Sequence, residues 1–547
     1  MEGAGRASDL ACHLFAPAAV DNAPVDNAPG IGRSEARRPW SARNSGEAAT
    51  MSLSWRQAAS CAAELVSGWR ADEPGGLVLG FDASGPRFVE ARGLASIEHG
   101  LPFGLATPTR LASITKHVFC AVALREGMDM AAPLGALVPD LPEAVAAVPL
   151  GRALGMTGGL PDLVESFGLL GVPASASFGR ATLLAMARAL PRLNFAPGAS
   201  ISYTNTGYRL AESALPAPLG ALLERHFPGL GFFYPEDETV PVPGLATGYW
   251  RDAGLGWRRG RYGLNYSASG GLACSAEALM RWSLRLLAGQ GGTAGLWEAL
   301  TRSGKLRDGR ETGYGLGLSR VPLEGPVLWG HGGSLPGYKN HLLLAPELGA
   351  GVIVLSNREE TGAYRLSLAV MAALAGLTLP PAGRLPAGLF AQADGPFWVE
   401  STGDSLFLLG AQEALTQGGG GLVHGLQAHL AFAVRAAADG TLEGSLGHQE
   451  CRLLPVPEDA ALDPRLLGDW VGEELGCEAR LTVAEGGRLC LPGQPRQWTA
   501  LRPLGPGKAL AERASPPSRS RFALWLAAPD ELRLVSQRSR VLTFRRG

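Results

Sequence analysis

Residues 114–124 carry Ile114, Val118, Phe119, Ala121, Val122, Ala123 and Leu124. At that spacing apolar side chains cover nearly every side of a helix, so the rest of the chain has to enclose it. A lone surface helix is excluded, and a layered fold with sheet and helices around this element is required. Ser113 and Lys116 stand one turn apart at its start, with Cβ atoms roughly 5–6 Å from each other. A serine in the first turn lies among unpaired backbone N–H groups that favour negative charge. A lysine in a dry pocket loses affinity for its proton and can accept one from a hydroxyl. Ser-x-x-Lys is also an ordinary surface spacing. The buried helix argues against that reading, as does the scarcity of lysine, which occurs only at 116, 305, 339 and 508. His117, four residues after Ser113, is expected to pack.

The flanking chain alternates helix and strand. Ala58, Cys61, Ala62, Leu65, Val66 and Trp69 give residues 55–69 an amphipathic spacing, and strands are expected at 76–81 and 87–91. Further on, strands are expected at 314–318, 327–334, 341–344 and 351–357. Helices are expected at 275–287, with Ser275 as N-cap, and at 364–374. Pro197-Gly198 turns the chain towards Tyr203-Thr204-Asn205, which leads into another helix. On the residues alone, Tyr203 is either a ring packed in a plain turn or a reactive phenol. His331, before Gly332 and Gly333, is open in the same way.

After a Pro-rich linker at 379–386 the chain turns β-rich, with strands expected at 397–400, 405–409, 429–434 and 441–446. A second β unit begins near Pro464, with strands expected at 467–472, 479–483, 488–491, 521–526, 531–535 and 541–544. Two small antiparallel units in succession suggest barrels, which leave no strand edge exposed. Residues 511–521 read as a loop between two strands. The expected organisation is a terminal extension (1–50), an α/β unit (51–379), a first β-barrel (387–457) and a second (464–547). The extension holds the tandem Val20-Asp21-Asn22-Ala23-Pro24 and Val25-Asp26-Asn27-Ala28-Pro29 and cannot bury a core. Either Met51 is the natural start or this segment is a disordered tail.

Composition removes several function classes. A net charge of -1 gives no electrostatic case for nucleic acid or an anionic membrane, and no apolar span approaches 20 residues. The seven cysteines are scattered, without a C-x-x-C pair, and no H-E-x-x-H occurs. This points to reduced thiols, a cytoplasmic location and neither metal nor cofactor. Gly418 to Gly421 lack a following Gly-Lys-Ser/Thr and are a turn, not a phosphate loop.

Ser113-x-x-Lys116, Tyr203-x-Asn205 and His331-x-Gly333, in that order, resemble the serine β-lactamase and penicillin-binding protein superfamily of the class C-like kind. Thr157-Gly158-Gly159-Leu160-Pro161 and Gly270-Gly271-Leu272 are similar to that family as well. With two β-barrels following, the chain resembles the bacterial D-stereospecific aminopeptidases. The resemblance implies a multidomain chain with a β-lactamase/transpeptidase-like catalytic domain. Ser113 is then the nucleophile, Lys116 and Tyr203 share the proton work, and the Lys116 charge lowers the phenol pKa. Backbone N–H groups of Ser113 and Ser334 hold the oxyanion. Asn205 and Gly333 line the substrate site, with Gly333 letting substrate lie along the strand edge. His331 takes the place of a lysine. The resemblance also implies that a loop of the last barrel enters the cleft, matched here to 511–521 with Glu512 and Arg513. Asp162 or Glu512 would meet a substrate amine. The expected substrate is a small peptide or amide with a free amine, and a homodimer is allowed. A broad esterase or β-lactamase, and a non-catalytic muropeptide-binding protein, are the alternatives.

Overall fold

Both faces of a six-stranded antiparallel sheet are covered, and the alternation along its strands shows how. In the computed structural model, which describes residues 53–264 and 266–547, the sheet contains β1 (Gly76–Asp82), β2 (Gly85–Arg92), β3 (Ser319–Val321), β4 (Leu328–Leu335), β5 (Tyr338–Ala345) and β6 (Ala350–Ser356), in the order β2-β1-β6-β5-β4-β3. The expected extension at 1–50 lies outside the described residues. Val78, Val352 and Val354 point to one face, with Ala58, Ala62 and Met371 of two helices, α1 (Trp55–Leu65) and α6 (Ala363–Ala375). Leu77, Leu79, Ile353 and Leu355 point to the other, where Phe119, Cys120 and Val122 of α2 (Thr115–Arg125) are buried. Period-two alternation with apolar groups on both sides is what a sheet enclosed by helices requires. Helices α3 (Leu163–Leu169), α4 (Thr206–Glu212) and α5 (Ala276–Ala288) belong to the α2 side, and Ser275 caps α5 by accepting from the Ala278 N–H at 3.2 Å.

Residues 314–318 differ from expectation. They form no strand; only Tyr314 bridges to Ser319, where β3 starts. Gly317 has φ +76 and passes so close to the α2 backbone that a Cβ there would lie 2.4 Å from the His117 nitrogen. The segment bends around the start of α2, and the apolar spacing that suggested a strand belongs to a buried loop.

The C-terminal β region has two parts. A nine-stranded antiparallel sheet spans residues 388–455. Its two edges, Ala411–Ala414 and Thr416–Gln417, are consecutive in the chain, so the sheet curls until its edges meet through Leu415. Residues 468–546 form a closed eight-stranded barrel around Trp470, Leu481, Leu524 and Phe544. The stretch expected as a loop at 511–521 is instead a hairpin of Lys508–Ser515 and Ser518–Ala528, turned by Pro516-Pro517 alone. No helix among the described residues is long and apolar enough to cross a membrane.

Candidate active site

The turn carrying Ser113 is fixed from several sides. Ala112 has φ 50, a left-handed conformation costing of order 1–2 kcal/mol for a residue with a Cβ. The Thr115 hydroxyl donates to the Ala112 carbonyl at 2.6 Å and accepts from the Leu272 N–H at 3.1 Å, holding the turn against its neighbour. β4 extends beyond β3, whose pairing stops at Gly330, and His331 to Ser334, paired with β5 but open on the β3 side, line the same cavity as Ser113. Gly333 meets a close approach here, since a Cβ would lie 2.0 Å from the Leu111 carbonyl oxygen. The expected role of Gly333, leaving room for substrate, is therefore corrected: the space a side chain would fill holds the backbone of the Ser113 turn.

Lys116 is fully buried. Its Nζ lies 3.1 Å from the Ser113 hydroxyl, 2.7 Å from Asn205 Oδ1 and 2.8 Å from the Ser269 carbonyl. Burial holds its pKa well below the usual lysine range, and the Arg538 charge acts in the same direction against the opposing Asp162. A neutral amine has two N–H donors and one lone pair. In that form the two carbonyl acceptors take the donors, and the lone pair is left for the Ser113 hydroxyl. Asp162, expected to meet a substrate amine, has no exposure, and both of its carboxylate oxygens are already engaged. It accepts from the Asn205 backbone N–H at 2.6 Å, the Asn205 side chain at 2.8 Å and the Glu165 N–H at 2.9 Å, capping α3. The series Asp162, Asn205, Lys116, Ser113 is a fixed file of hydrogen bonds.

Tyr203 lines the same cavity as Ser113. Both C-terminal β units hold the segment before it: the Ser200 hydroxyl donates to the Gly447 carbonyl at 2.6 Å, and the Ser202 hydroxyl to the Gln537 carbonyl at 3.1 Å. Burial raises the phenol pKa, opposed by the Arg538 charge and the nearby Ser113 hydroxyl. The expectation that Lys116 supplies the charge acting on this phenol is corrected. Lys116 Nζ and the Arg538 guanidinium lie equally close to the ring centroid, at 4.7 and 4.6 Å, but Lys116 is held towards its neutral form, and the charge that lowers the phenol pKa is that of Arg538.

His331 is buried 6.0 Å from the Tyr203 ring. Its Nδ1 lies 2.6 Å from the Gly332 carbonyl, which can only accept, so Nδ1 carries the proton and Nε2 accepts from the Tyr314 hydroxyl at 2.9 Å. Burial, then Lys116 and His429, keep this imidazole well below the ordinary histidine range. Both ring nitrogens are committed, which leaves His331 a neutral packing and orienting group. His117 packs as expected: its Nε2 accepts from the Trp282 indole at 2.8 Å and burial lowers its pKa to about 3.

Two residues of the cavity escaped the sequence reading. His429, expected inside a strand, sits in the 3-10 turn Ala428–Leu430, which precedes the strand Phe432–Ala436. Its ring lies 4.9 Å from that of Tyr203 and is stacked at 6.4 Å on His331. Arg538 comes from the connection between the last two barrel strands, Glu531–Val535 and Leu542–Arg546. No motif marks either residue, because only the fold brings them to Ser113. The cavity measures about 1100 Å³ and also receives Asn205, Ser334, Lys339 and Glu413. Glu512 and Arg513 do not line it. Glu512 pairs with Arg519 and Arg521 on the hairpin, while Arg513 borders an adjoining groove. A two-residue turn gives that hairpin no loop long enough to reach Ser113, and the connection bearing Arg538 reaches the cavity instead.

Residues 62–377 match the beta-lactamase family, more than half of the chain. The chain belongs to that family. Two curated relatives of this beta-lactamase-family chain are named D-aminopeptidase. One, from Gluconobacter oxydans, is 27% identical over 303 residues, 53% of this chain and 56% of that protein. The other, from Cereibacter sphaeroides, is 25% identical over 418 residues, 73% of this chain and 79% of that protein. The chain thus spans about half the length of the first and about four fifths of the second. Among solved structures it is similar to SurE, with a TM-score of 0.50 and 21% identity over 74% of this chain and 99% of that one. It is also similar to the octameric penicillin-binding protein homologue from Pyrococcus abyssi, with a TM-score of 0.50 and 17% identity over 90% and 99% of the two chains. At these identities the two structures speak for the fold.

Proposed function

We propose that the protein is a serine hydrolase working through an acyl-enzyme, and that it releases N-terminal D-residues from short peptides, amides or esters. The observation that carries this reading is the setting of the buried Lys116 amine, with two carbonyl acceptors and the Ser113 hydroxyl within hydrogen-bonding distance, so that the neutral amine has its lone pair left for that hydroxyl. Ser113 Oγ attacks the scissile carbonyl as its proton passes to Lys116. The oxyanion that forms is met by the backbone N–H groups of Ser113 and Ser334, which line one cavity. Tyr203, a neutral phenol on the same cavity as Ser113, donates its proton to the leaving group as the carbon–nitrogen bond breaks, and regains one from Lys116. Water then attacks the ester, with Lys116 and Tyr203 reversing their roles. The D-residue preference rests on the relatives named D-aminopeptidase.

Intact mass of protein quenched during turnover of the p-nitrophenyl ester of D-alanine tests the first part. A Ser113-dependent mass gain of one alanyl group is expected, and its absence together with absent turnover would favour a binding protein. Comparing D- and L-alanine p-nitroanilide tests the second part; equal rates would remove the stereospecific reading.

A further inference from the structure

Arg538 is a partly buried cation of the cavity wall that lies over the Tyr203 ring. Its main chain is tied down three times: the N–H donates to Glu165 Oε2, and the carbonyl accepts from the Asp162 N–H at 2.9 Å and from Asn194 Nδ2 at 2.9 Å. Its guanidinium, by contrast, makes no hydrogen bond within the protein, and no ion pair within 4 Å, among the described residues. It borders both the cavity at Ser113 and the groove beside it. The two nearest acids are turned to other donors: Asp162 to Asn205 and Glu165, and Glu165 to Ser536 and the Arg538 N–H. They balance the arginine charge without using its five donors. Lys339, a second cation of the cavity wall, differs: its ammonium is bound to Glu359 at 2.7 Å and to Ser334 Oγ at 2.7 Å. A rigidly mounted, half-buried guanidinium with open donors matches a planar two-oxygen anion.

Its position says which part of a substrate would bring that anion. The guanidinium lies over Tyr203, the group assigned to the leaving nitrogen. In a dipeptide, the free carboxylate carbon is two bonds from that nitrogen, roughly 2.5 Å away. From the open guanidinium above the leaving-group phenol, we propose that Arg538 binds the free α-carboxylate of the residue leaving from a dipeptide, so that the preferred substrates are D-Xaa-Xaa dipeptides with an unblocked C-terminus. This rests on the acyl-enzyme reading with Tyr203 on the leaving-group side. The site then discriminates between two ends of a substrate by charge. Asp162 is committed to Asn205, while a carboxylate finds an unpaired partner on the departing side.

The test compares D-alanyl-glycine with its C-terminal amide on the full chain. Wild type should show a kcat/KM roughly tenfold or more higher for the free acid, the scale of a charge-assisted bidentate contact. Arg538→Gln should bring that ratio close to one and Arg538→Lys should restore part of it. The ratio cancels any general loss of activity in a variant. The same two peptides are titrated calorimetrically into Ser113→Ala, where tighter binding of the acid is expected, and into Ser113→Ala/Arg538→Gln, where the preference should vanish. Equal handling of acid and amide by wild type and by Ser113→Ala would overturn the assignment, as would a preference that survives Arg538→Gln. Turnover of D-alanine p-nitroanilide, which has no carboxylate, tests the hydrolase reading separately.

Discussion

The two halves of the site are built differently. On the Lys116 side the hydrogen-bonded file comes from the N-terminal α/β unit: Asp162 fixes Asn205, Asn205 fixes the amine, and each link is a hydrogen bond of ordinary length. On the Tyr203 side the phenol is placed by two distant β units, through the carbonyls of Gly447 and Gln537, the ring of His429 and the charge of Arg538. In the proposed mechanism, proton acceptance is thus assembled within one unit and leaving-group chemistry at the meeting of three. The first half should respond to substitution in all-or-none fashion, the second by degrees.

Lys116→Met gives the strongest contrast. It keeps the packing volume but removes the lone pair opposite Ser113, and kcat/KM should fall by roughly 10³ for peptide and ester alike. A fall of less than tenfold would show that the phenol side can carry proton transfer alone. The pH profile sharpens the same point. The acceptor is the neutral amine, whose pKa burial depresses, so activity should be lost as pH falls through that depressed value and be retained well below the ordinary lysine range. Replacement of Lys116 should remove that acid limb.

A smaller effect is expected from His429, which has no donor or acceptor role towards Ser113 in this geometry; its Nδ1 is buried without a hydrogen-bond partner among the described residues. His429→Ala should lower kcat about three- to tenfold by loosening Tyr203, and His429→Phe should recover most of the loss, since stacking and volume are what the ring supplies. If Phe fails where a polar residue succeeds, His429 acts through its nitrogens and the two halves are more alike than described.

The smallest effect concerns stability. Glu413, from the first β unit, is buried in the cavity wall, and burial raises its pKa to about 7 against an opposing hydrogen bond from Gln427. A carboxyl whose folded pKa exceeds its unfolded value contributes stability that is full below the unfolded value and is lost as pH rises through about 7. The contribution is at most about 3 kcal/mol. Thermal melts at pH 5 and pH 8 should therefore differ more in wild type than in Glu413→Gln, and an equal difference would place the carboxyl in contact with solvent.

The contrast also explains what could be read from the chain alone. Ser113, Lys116, Tyr203, Asn205 and His331 sit in short spaced patterns whose local geometry is almost fixed by helix and strand periods, and the structure sets four of them around one cavity with Lys116 buried behind Ser113 and Asn205. The sheet was legible for the same reason, because Leu77 to Phe81 and Val352 to Leu355 bury both faces. Residues 314–318 misled because burial around a turn imitates the apolar content of a strand. His429 looked like one more strand residue and Arg538 like one arginine among many; what distinguishes them is a tertiary contact with no sequence period. Glu512 and Arg513 were drawn from the right barrel but the wrong connection, since a hairpin turned by two prolines and a longer reach look alike until pairing is known.

Gly447 and Gln537 grip the Tyr203 segment through main-chain oxygens, which every amino acid possesses. Mutation can therefore rewrite the C-terminal units almost freely while the grip persists, provided their backbones keep the same path. Chimeras between distant members should be judged on whether two carbonyls arrive in register, a criterion that alignment scores do not measure.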